Sequence, residues 1–283
     1  MGQAYADSVP LLVISSENRR GEIGTGRGFL HEMTDQFGVG SRLAGYSQRI
    51  TQPQDLPPAL AHVFRALGAS RPLPAYLEIP RDVLRESADG LPEVDAWARA
   101  VLRDTAMLAV PEGIPLALER LRVARHPLLM VGGGAVRAAA EVRALAEALG
   151  APVVMTTNAR GVLPPGHPLA VPFSPSLAPV RQLAAEADAV LVVGSECGQT
   201  DYDMYDVATF PQPRGLVRID IDRDQMQRTW HPEVPLLGDA ATVLRALLDG
   251  LEVPAEDTSR RLASGAAAAE ATCDATYAAL TPP

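Results

Sequence analysis

The chain has 283 residues, of which 47% are apolar and 21% charged, so it can bury one large hydrophobic core or two of ordinary size. Its net charge of −9 argues against a nucleic-acid partner, because a phosphate backbone is bound by a basic surface. All 25 basic residues are arginine, which we attribute to a coding bias.

The cysteines and the hydropathy of the sequence argue against a disulfide-bonded, zinc-binding, membrane-spanning or secreted protein. Cys197 and Cys273 lie far apart and form no CxxC pair, so neither a disulfide framework nor a zinc site is expected, and a reducing cytoplasm is the expected location. No apolar run reaches the ~18 residues that span a bilayer, so no membrane partner is expected. The first residues, MGQAYADSVP, lack the pattern of a secretory signal.

The first third of the sequence alternates between strand and helix patterns. Strands are predicted at 9–16, 45–51 and 73–79. A short helix is predicted from about Phe29 and a longer one over 53–67, where apolar residues recur at helical spacing. This alternation predicts a parallel sheet covered on both faces. Residues 86–112 are polar, acidic and bounded by prolines, which predicts a linker with a single helical turn.

A second unit of the same kind follows, and the whole chain is therefore predicted to be α/β, with two consecutive parallel-sheet units and the second doubly wound. The tail, 251–283, is polar and then alanine-rich, which predicts a helical connector. The predicted elements of the second unit are helices at 114–125, up to Leu149, 178–187 and 239–250, and strands at 127–131, 152–156, 189–195, 215–222 and 234–237.

Three glycines follow the first strand of the second unit: Gly132, Gly133 and Gly134. A strand, a glycine loop and a helix can place backbone N–H groups around a phosphate. The loop does not match GxGxxG, because Arg137 stands in the last position. Tight packing of the strand against the helix is an equally good interpretation.

Two further strand ends carry polar residues. Asn158 and Arg160 follow one strand and Gly194 ends another. Ligands bind at the carboxyl ends of strands in open α/β sheets, so these residues are candidates for one crevice. The alternative is a loop capped by Asn158 with Arg160 in solvent.

The stretch RIDIDRD carries alternating acids at a strand end. Asp220 and Asp222 point to the same side of a strand and could contact a ribose or a metal. The alternative is that Asp222 caps a helix that starts at Arg223. No metal-ligand set is assigned.

The stretch GRGFLHEMTDQ contains His31, Glu32 and Gln36 close together after the first strand. A histidine there can act as a general acid–base or contact a substrate. Judged by residue types alone, the favoured interpretation is a surface His31, with Glu32 and Asp35 complementing a helix dipole.

The order of these pieces along the chain changes that judgement. AYADSVPLLVISS, LHEMTDQ, RPLPAYLEIPRDVL, RHPLLMVGGGAV, APVVMTTNARGVLPPGHPL and GLVRIDID occur in series. The series resembles thiamine diphosphate-dependent enzymes of the acetolactate synthase and 2-oxo acid decarboxylase group, through about residue 250.

The resemblance implies a domain arrangement. Residues 1–85 resemble the second half of the pyrimidine-binding domain, 113–250 the whole central domain, and 251–283 a connector. The Gly-Asp-Gly segment that anchors the diphosphate through Mg²⁺ does not occur in the sequence, and the glutamate that activates the pyrimidine lies upstream in the family. The expectation is a fragment that is inactive alone.

The resemblance also implies roles and partners. Leu30, His31 and Glu32 match a Phe-Gln-Glu segment that lines the reaction channel, so His31 would face a 2-oxo acid substrate. The histidine, and the sequence around it, resemble guanidino-oxopentanoate decarboxylases more than acetolactate synthases. The complete enzyme would use thiamine diphosphate and Mg²⁺ and form a dimer or tetramer. FAD is doubtful, because GSECGQTD lacks the family's arginine.

Two rival interpretations stay open. One is a stand-alone FAD- or NAD-binding module built on 113–250. The other is a non-catalytic partner of a separate diphosphate-binding subunit.

Overall fold

The computed structural model describes residues 1–69, 71–103, 110–204, 210, 212–252 and 255–281. The chain divides into two compact units, Met1–Met107 and Leu108–Pro283. Each is built on a parallel sheet, which confirms the predicted α/β class. Within the described residues, no helix is both long and apolar enough to cross a bilayer.

The first unit has a three-stranded parallel sheet in the order β1-β3-β2. One face packs on α3, around Val63 and Leu77, and forms this unit's hydrophobic core. The other face carries polar residues and is approached by α2. The elements are α1 (Gly2–Ala6), β1 (Leu12–Glu17), α2 (Gln36–Arg42), β2 (Tyr46–Arg49), α3 (Leu56–Ala69), β3 (Ala75–Pro80) and α4 (Val94–Arg103).

Two predictions for this unit are wrong. No helix starts at Phe29, because the chain there passes through left-handed positions and α2 begins only at Gln36, capped by the Asp35 carboxylate. The predicted linker also holds more than one helical turn, since α4 runs for 10 residues. Residues 104–109 of that segment lie outside the described residues.

The second unit has a six-stranded parallel sheet in the order β6-β5-β4-β7-β8-β9. Alternate residues of each strand enter opposite cores: Leu129 and Val131 face α5, α6 and α10, whereas Leu128 and Met130 face α7 and α11. The elements are α5 (Ile114–Val123), β4 (Pro127–Val131), α6 (Ala139–Leu149), β5 (Val153–Met155), β6 (Ala170–Val171), α7 (Ala178–Glu186), β7 (Ala189–Val193), α8 (Gln199–Tyr202), β8 (Val217–Asp220), α9 (Arg223–Met226), β9 (Val234–Leu237), α10 (Ala240–Gly250) and α11 (Ala255–Leu280).

The tail of the chain forms α11, which packs on the second unit. Gly265 lies against Gly150 so closely that a Cβ on Gly265 would be 1.9 Å from the Gly150 carbonyl oxygen. Arg261 donates from Nη2 to the carbonyl of Arg122 at 2.8 Å, near the end of α5. Backbone contact and a charged donor at a helix C-terminus together fix this helix in place.

Candidate functional sites

The loop between β1 and α2 is shaped by left-handed residues. Gly24, Gly26 and Gly28 have φ near +70°, and His31 has φ of 58°. Glycine adopts this conformation freely, but for histidine it is strained. Strained backbone held in place by its surroundings is a feature of functional sites.

The Glu32 carboxylate organises that loop. It accepts hydrogen bonds from the backbone N–H groups of Gly26 at 2.6 Å, Gly28 at 2.8 Å and Phe29 at 3.0 Å. Desolvation opposes the charge, but these hydrogen bonds hold the pKa of the Glu32 carboxyl below its ordinary value. Glu32 is therefore committed to the loop and does not complement a helix dipole.

His31 is exposed at the tip of the same loop, beside Leu30, which is 76% exposed. In the described part of the chain, its imidazole forms no hydrogen bond or ion pair. The loop thus displays the imidazole, while Glu32 holds the backbone behind it.

Gln36 belongs to a row of polar side chains across the first sheet, of which Glu78 is the buried centre. Ser15, Glu78 and Arg49 are direct neighbours on β1, β3 and β2. Glu78 is fully buried, and its carboxylate accepts from Arg49 Nε at 2.6 Å and from Gln36 Nε2 at 3.2 Å. Gln36 Nε2 also donates to the Ser16 carbonyl at 2.9 Å.

Tyr76 lies two residues before Glu78 on β3 and joins the same polar row. Its hydroxyl lies 2.7 Å from Ser15 Oγ and 3.0 Å from the Glu78 carboxylate. Burial, together with the Glu78 charge, raises the pKa of Tyr76. The tyrosine therefore stays neutral and can donate to Glu78.

In the second unit two of the three glycines, Gly132 and Gly134, serve close packing. The amide of Gly132 donates to the Val193 carbonyl at 3.0 Å and that of Gly134 to the Gly194 carbonyl at 2.9 Å. A Cβ on Gly134 would lie 2.9 Å from Gly194 Cα. Two of the three predicted phosphate-facing amides are consequently used between the loops after β4 and β7.

Gly133 and Asn158 lie together at the open side of these loops. Both are exposed, and a Cβ on Gly133 would be 3.3 Å from the Asn158 Cβ. Arg160 points away and donates to the Pro172 carbonyl. The structure thus brings Gly132, Gly133, Gly134, Gly194 and Asn158 together, but not Arg160.

The two aspartates have different surroundings. Asp222 caps α9, accepting from the Asp224 amide at 2.8 Å. Asp220 is buried, which raises its carboxyl pKa, and it lies 3.3 Å from Arg218 Nη2. Among the described residues, no group of three or more His, Cys, Asp or Glu could hold a metal ion.

Arg218 is a residue that the sequence reasoning missed. It is fully buried, and its Nη2 also donates to the Ser195 carbonyl at 3.1 Å, linking β8 to the loop after β7. An arginine inside the apolar strand GLVRID could have marked it, since a buried charge needs built partners. Glu78 within the apolar strand AYLEIP is likewise a charged residue that needs built partners in the first unit.

Comparisons with known proteins agree with this architecture. Residues 114–247 match the family model described as thiamine pyrophosphate enzyme, central domain. A probable 2-ketoarginine decarboxylase, AruI, of Pseudomonas aeruginosa is 39% identical over 261 residues, which are 92% of this chain and 45% of that protein.

Acetolactate synthases give weaker matches. The large subunit from Corynebacterium glutamicum is 30% identical, over 91% of this chain and 41% of its own length. Isozyme 1 from Escherichia coli is 27% identical, over 89% and 44%. Residues 114–247 therefore carry the central domain of the thiamine pyrophosphate enzymes, and the chain is similar over most of its length to these three relatives. It spans less than half the length of each of these three relatives.

Proposed function

We propose that this chain supplies the substrate-facing loop and the central domain of a thiamine diphosphate-dependent enzyme that acts on a 2-oxo acid. The observation that carries the proposal is His31, held in a left-handed conformation at the tip of a loop that Glu32 orders. A loop ordered in this way presents the imidazole in one direction and reduces the entropy lost on substrate binding.

The residues have distinct tasks in this proposal. Thiamine diphosphate, when bound, supplies the electron sink for loss of CO₂. His31 exchanges a proton with the 2-oxo oxygen of the substrate, and Glu32 keeps the loop in place. Leu30, at the same tip, excludes water from the reacting carbon.

The residues present fit the substrate side of the reaction better than the diphosphate side. The amides of Gly132 and Gly134 are committed to carbonyls, which leaves Gly133 and Asn158 as the predicted ligand contacts. The sequence contains no Gly-Asp-Gly segment. We therefore propose that these 283 residues alone release no CO₂.

Two substrate classes are proposed. The relative at 39% identity is described as a probable 2-ketoarginine decarboxylase, which favours a guanidino 2-oxo acid that loses CO₂ without carboligation. The acetolactate synthases favour joining of two 2-oxo acids. Product analysis distinguishes them, because only the second gives a new carbon–carbon bond.

The proposal also includes an oligomeric state and a cellular location for the complete enzyme. We propose a dimer or tetramer, as the family resemblance implies. Cys197 and Cys273 are both free, which is consistent with the proposed cytoplasmic location.

A chimera provides the test. This chain replaces the matched segment of the Pseudomonas relative, and decarboxylation of 5-guanidino-2-oxopentanoate and pyruvate is followed with thiamine diphosphate and Mg²⁺. We expect His31→Gln to lower kcat by about 10²-fold, the usual contribution of general acid–base catalysis. Unchanged kcat in a folded His31→Gln chimera would exclude this role.

A further inference from the structure

The carboxyl edge of the first sheet holds a guanidinium, that of Arg49, which is only partly engaged by the residues that the structure describes. Arg49 ends β2 and bonds to Glu78 through Nε alone, at 2.6 Å. Its side chain is 31% exposed, whereas that of Glu78 is fully buried. In the described part of the chain, neither terminal Nη atom of Arg49 has a partner, so both face solvent.

Other arginines at this edge differ from Arg49. Arg20 donates from Nε to Asp82 at 2.8 Å and from Nη1 to the Thr51 carbonyl at 2.8 Å, and pairs through Nη2 with Glu86. Arg81 donates to Glu22 at 2.5 Å. These guanidinium groups serve the fold, whereas the outward fork of Arg49 is available.

The position of Arg49 is fixed from two sides. Glu78 anchors Nε from below, and the Phe37 ring lies 5.1 Å from the guanidinium carbon. An ion pair that served only to neutralise Glu78 would be strongest with two parallel hydrogen bonds. The single bond through Nε leaves a pre-organised pair of donors, the geometry that suits a carboxylate.

Gln36 faces the same edge of the sheet but presents a hydrogen-bond acceptor, whereas Arg49 presents donors. Its two strongest partners, the Glu78 carboxylate and the Ser16 carbonyl, accept hydrogen bonds, so the amide group points inward and Oε1 points outward. One buried carboxylate thus holds both side chains, next to the start of the His31 loop.

We propose that Arg49 binds the carboxylate of the 2-oxo acid. This inference rests on the proposed function, and ligands of parallel sheets lie at this edge. The contact belongs to the ground state, since a carboxylate that leaves as CO₂ loses its charge. Arg49 therefore contributes to substrate binding and not to the chemical step.

The experiment is an NMR titration of the full 283-residue chain with 2-oxopentanoate and with 2-oxopentanamide. Removing Arg49 alone would leave Glu78 unpaired, so the variant is R49Q/E78Q, whose fold is checked by circular dichroism. Arg42→Gln, an exposed arginine on α2, is the control for loss of an arginine outside the proposed site.

The expected result is that 2-oxopentanoate binds at least about tenfold more weakly to R49Q/E78Q than to the parent or R42Q, the size of one charge-assisted contact. The amide should bind weakly to all three. Equal binding of the acid to the parent and R49Q/E78Q, or equal binding of acid and amide to the parent, would overturn the inference and leave the proposed function standing. Absence of any 2-oxo acid binding to the parent would count against both.

Discussion

At the scale of single residues, Glu32 shows how one carboxylate can order a glycine-rich loop. Three backbone N–H groups converge on it, so the loop is held by charge-assisted hydrogen bonds in place of helix or sheet ladders. This role could not be predicted from the sequence, because a glutamate that binds backbone amides cannot be distinguished there from any surface glutamate. Residue types alone offered His31 as an acid–base or substrate contact but favoured a surface role, and the family resemblance reversed that preference.

Acid should loosen this loop. A carboxyl whose pKa is lowered by folding stabilises the fold above its unfolded pKa, near 4.5, and the contribution is lost as the pH falls through the lowered folded value. We expect Glu32→Gln to speed hydrogen exchange at Gly26, Gly28 and Phe29 by about tenfold at neutral pH. Exchange rates matching those of the parent chain would show that Glu32 does not order the loop.

Replacing His31 by glycine should relieve backbone strain and raise stability while lowering activity. Glycine accepts the φ of 58° without penalty. We therefore expect His31→Gly to raise the free energy of unfolding, measured in urea, by about 0–1 kcal/mol. The same substitution should lower turnover of the chimera. A variant that is destabilised and fully active would contradict both parts.

At the scale of elements, hydrophobic patterns predicted the regular structure well. Strand β9 falls on 234–237 as predicted, and α7 and α10 differ from prediction by one residue at an end. The failures lie where side chains act on the backbone. The helix expected from Phe29 is prevented by left-handed residues, and the extent of α4 is hidden by the prolines and acids around it.

Helix α11 contains a glycine at which Gly→Ala should destabilise the protein, although the same change usually stabilises a helix. Gly→Ala in the middle of a helix ordinarily stabilises it by about 1 kcal/mol. Gly265→Ala should instead destabilise the second unit by about 1–3 kcal/mol, because the new Cβ would lie 1.9 Å from the Gly150 carbonyl oxygen.

The matched control is Ala263→Gly, at an exposed position of the same helix, which should cost about 1 kcal/mol through propensity alone. Thermal unfolding of the two variants measures both. A stabilised Gly265→Ala protein would show that α11 does not pack against Gly150.

The second unit should also protect one of its two cysteines. Cys197 is buried, and burial raises the pKa of its thiol to about 12, whereas Cys273 is partly exposed. Because the thiolate is the reactive form, we expect native labelling with iodoacetamide at pH 8 to modify Cys273 first. Peptide mass spectrometry showing equal rates at both would contradict the burial of Cys197.

At the scale of the whole molecule, two parallel-sheet units follow one another along a chain that covers 45% of its 39%-identical relative. The sequence predicted both sheets and the family. It could not predict that the glycines after β4 pack against Gly194, or that Glu78 anchors Gln36 and Arg49, because these contacts join residues distant in sequence. Periodicity carries no information about such pairs.

The most direct measurement is release of labelled CO₂ from a 1-¹³C 2-oxo acid, with thiamine diphosphate and Mg²⁺ present, by the 283-residue chain and by the chimera side by side. The proposed function predicts that the chimera releases labelled CO₂ and that the chain alone releases none. Release by the chain alone, or a folded chimera that releases none, would contradict it.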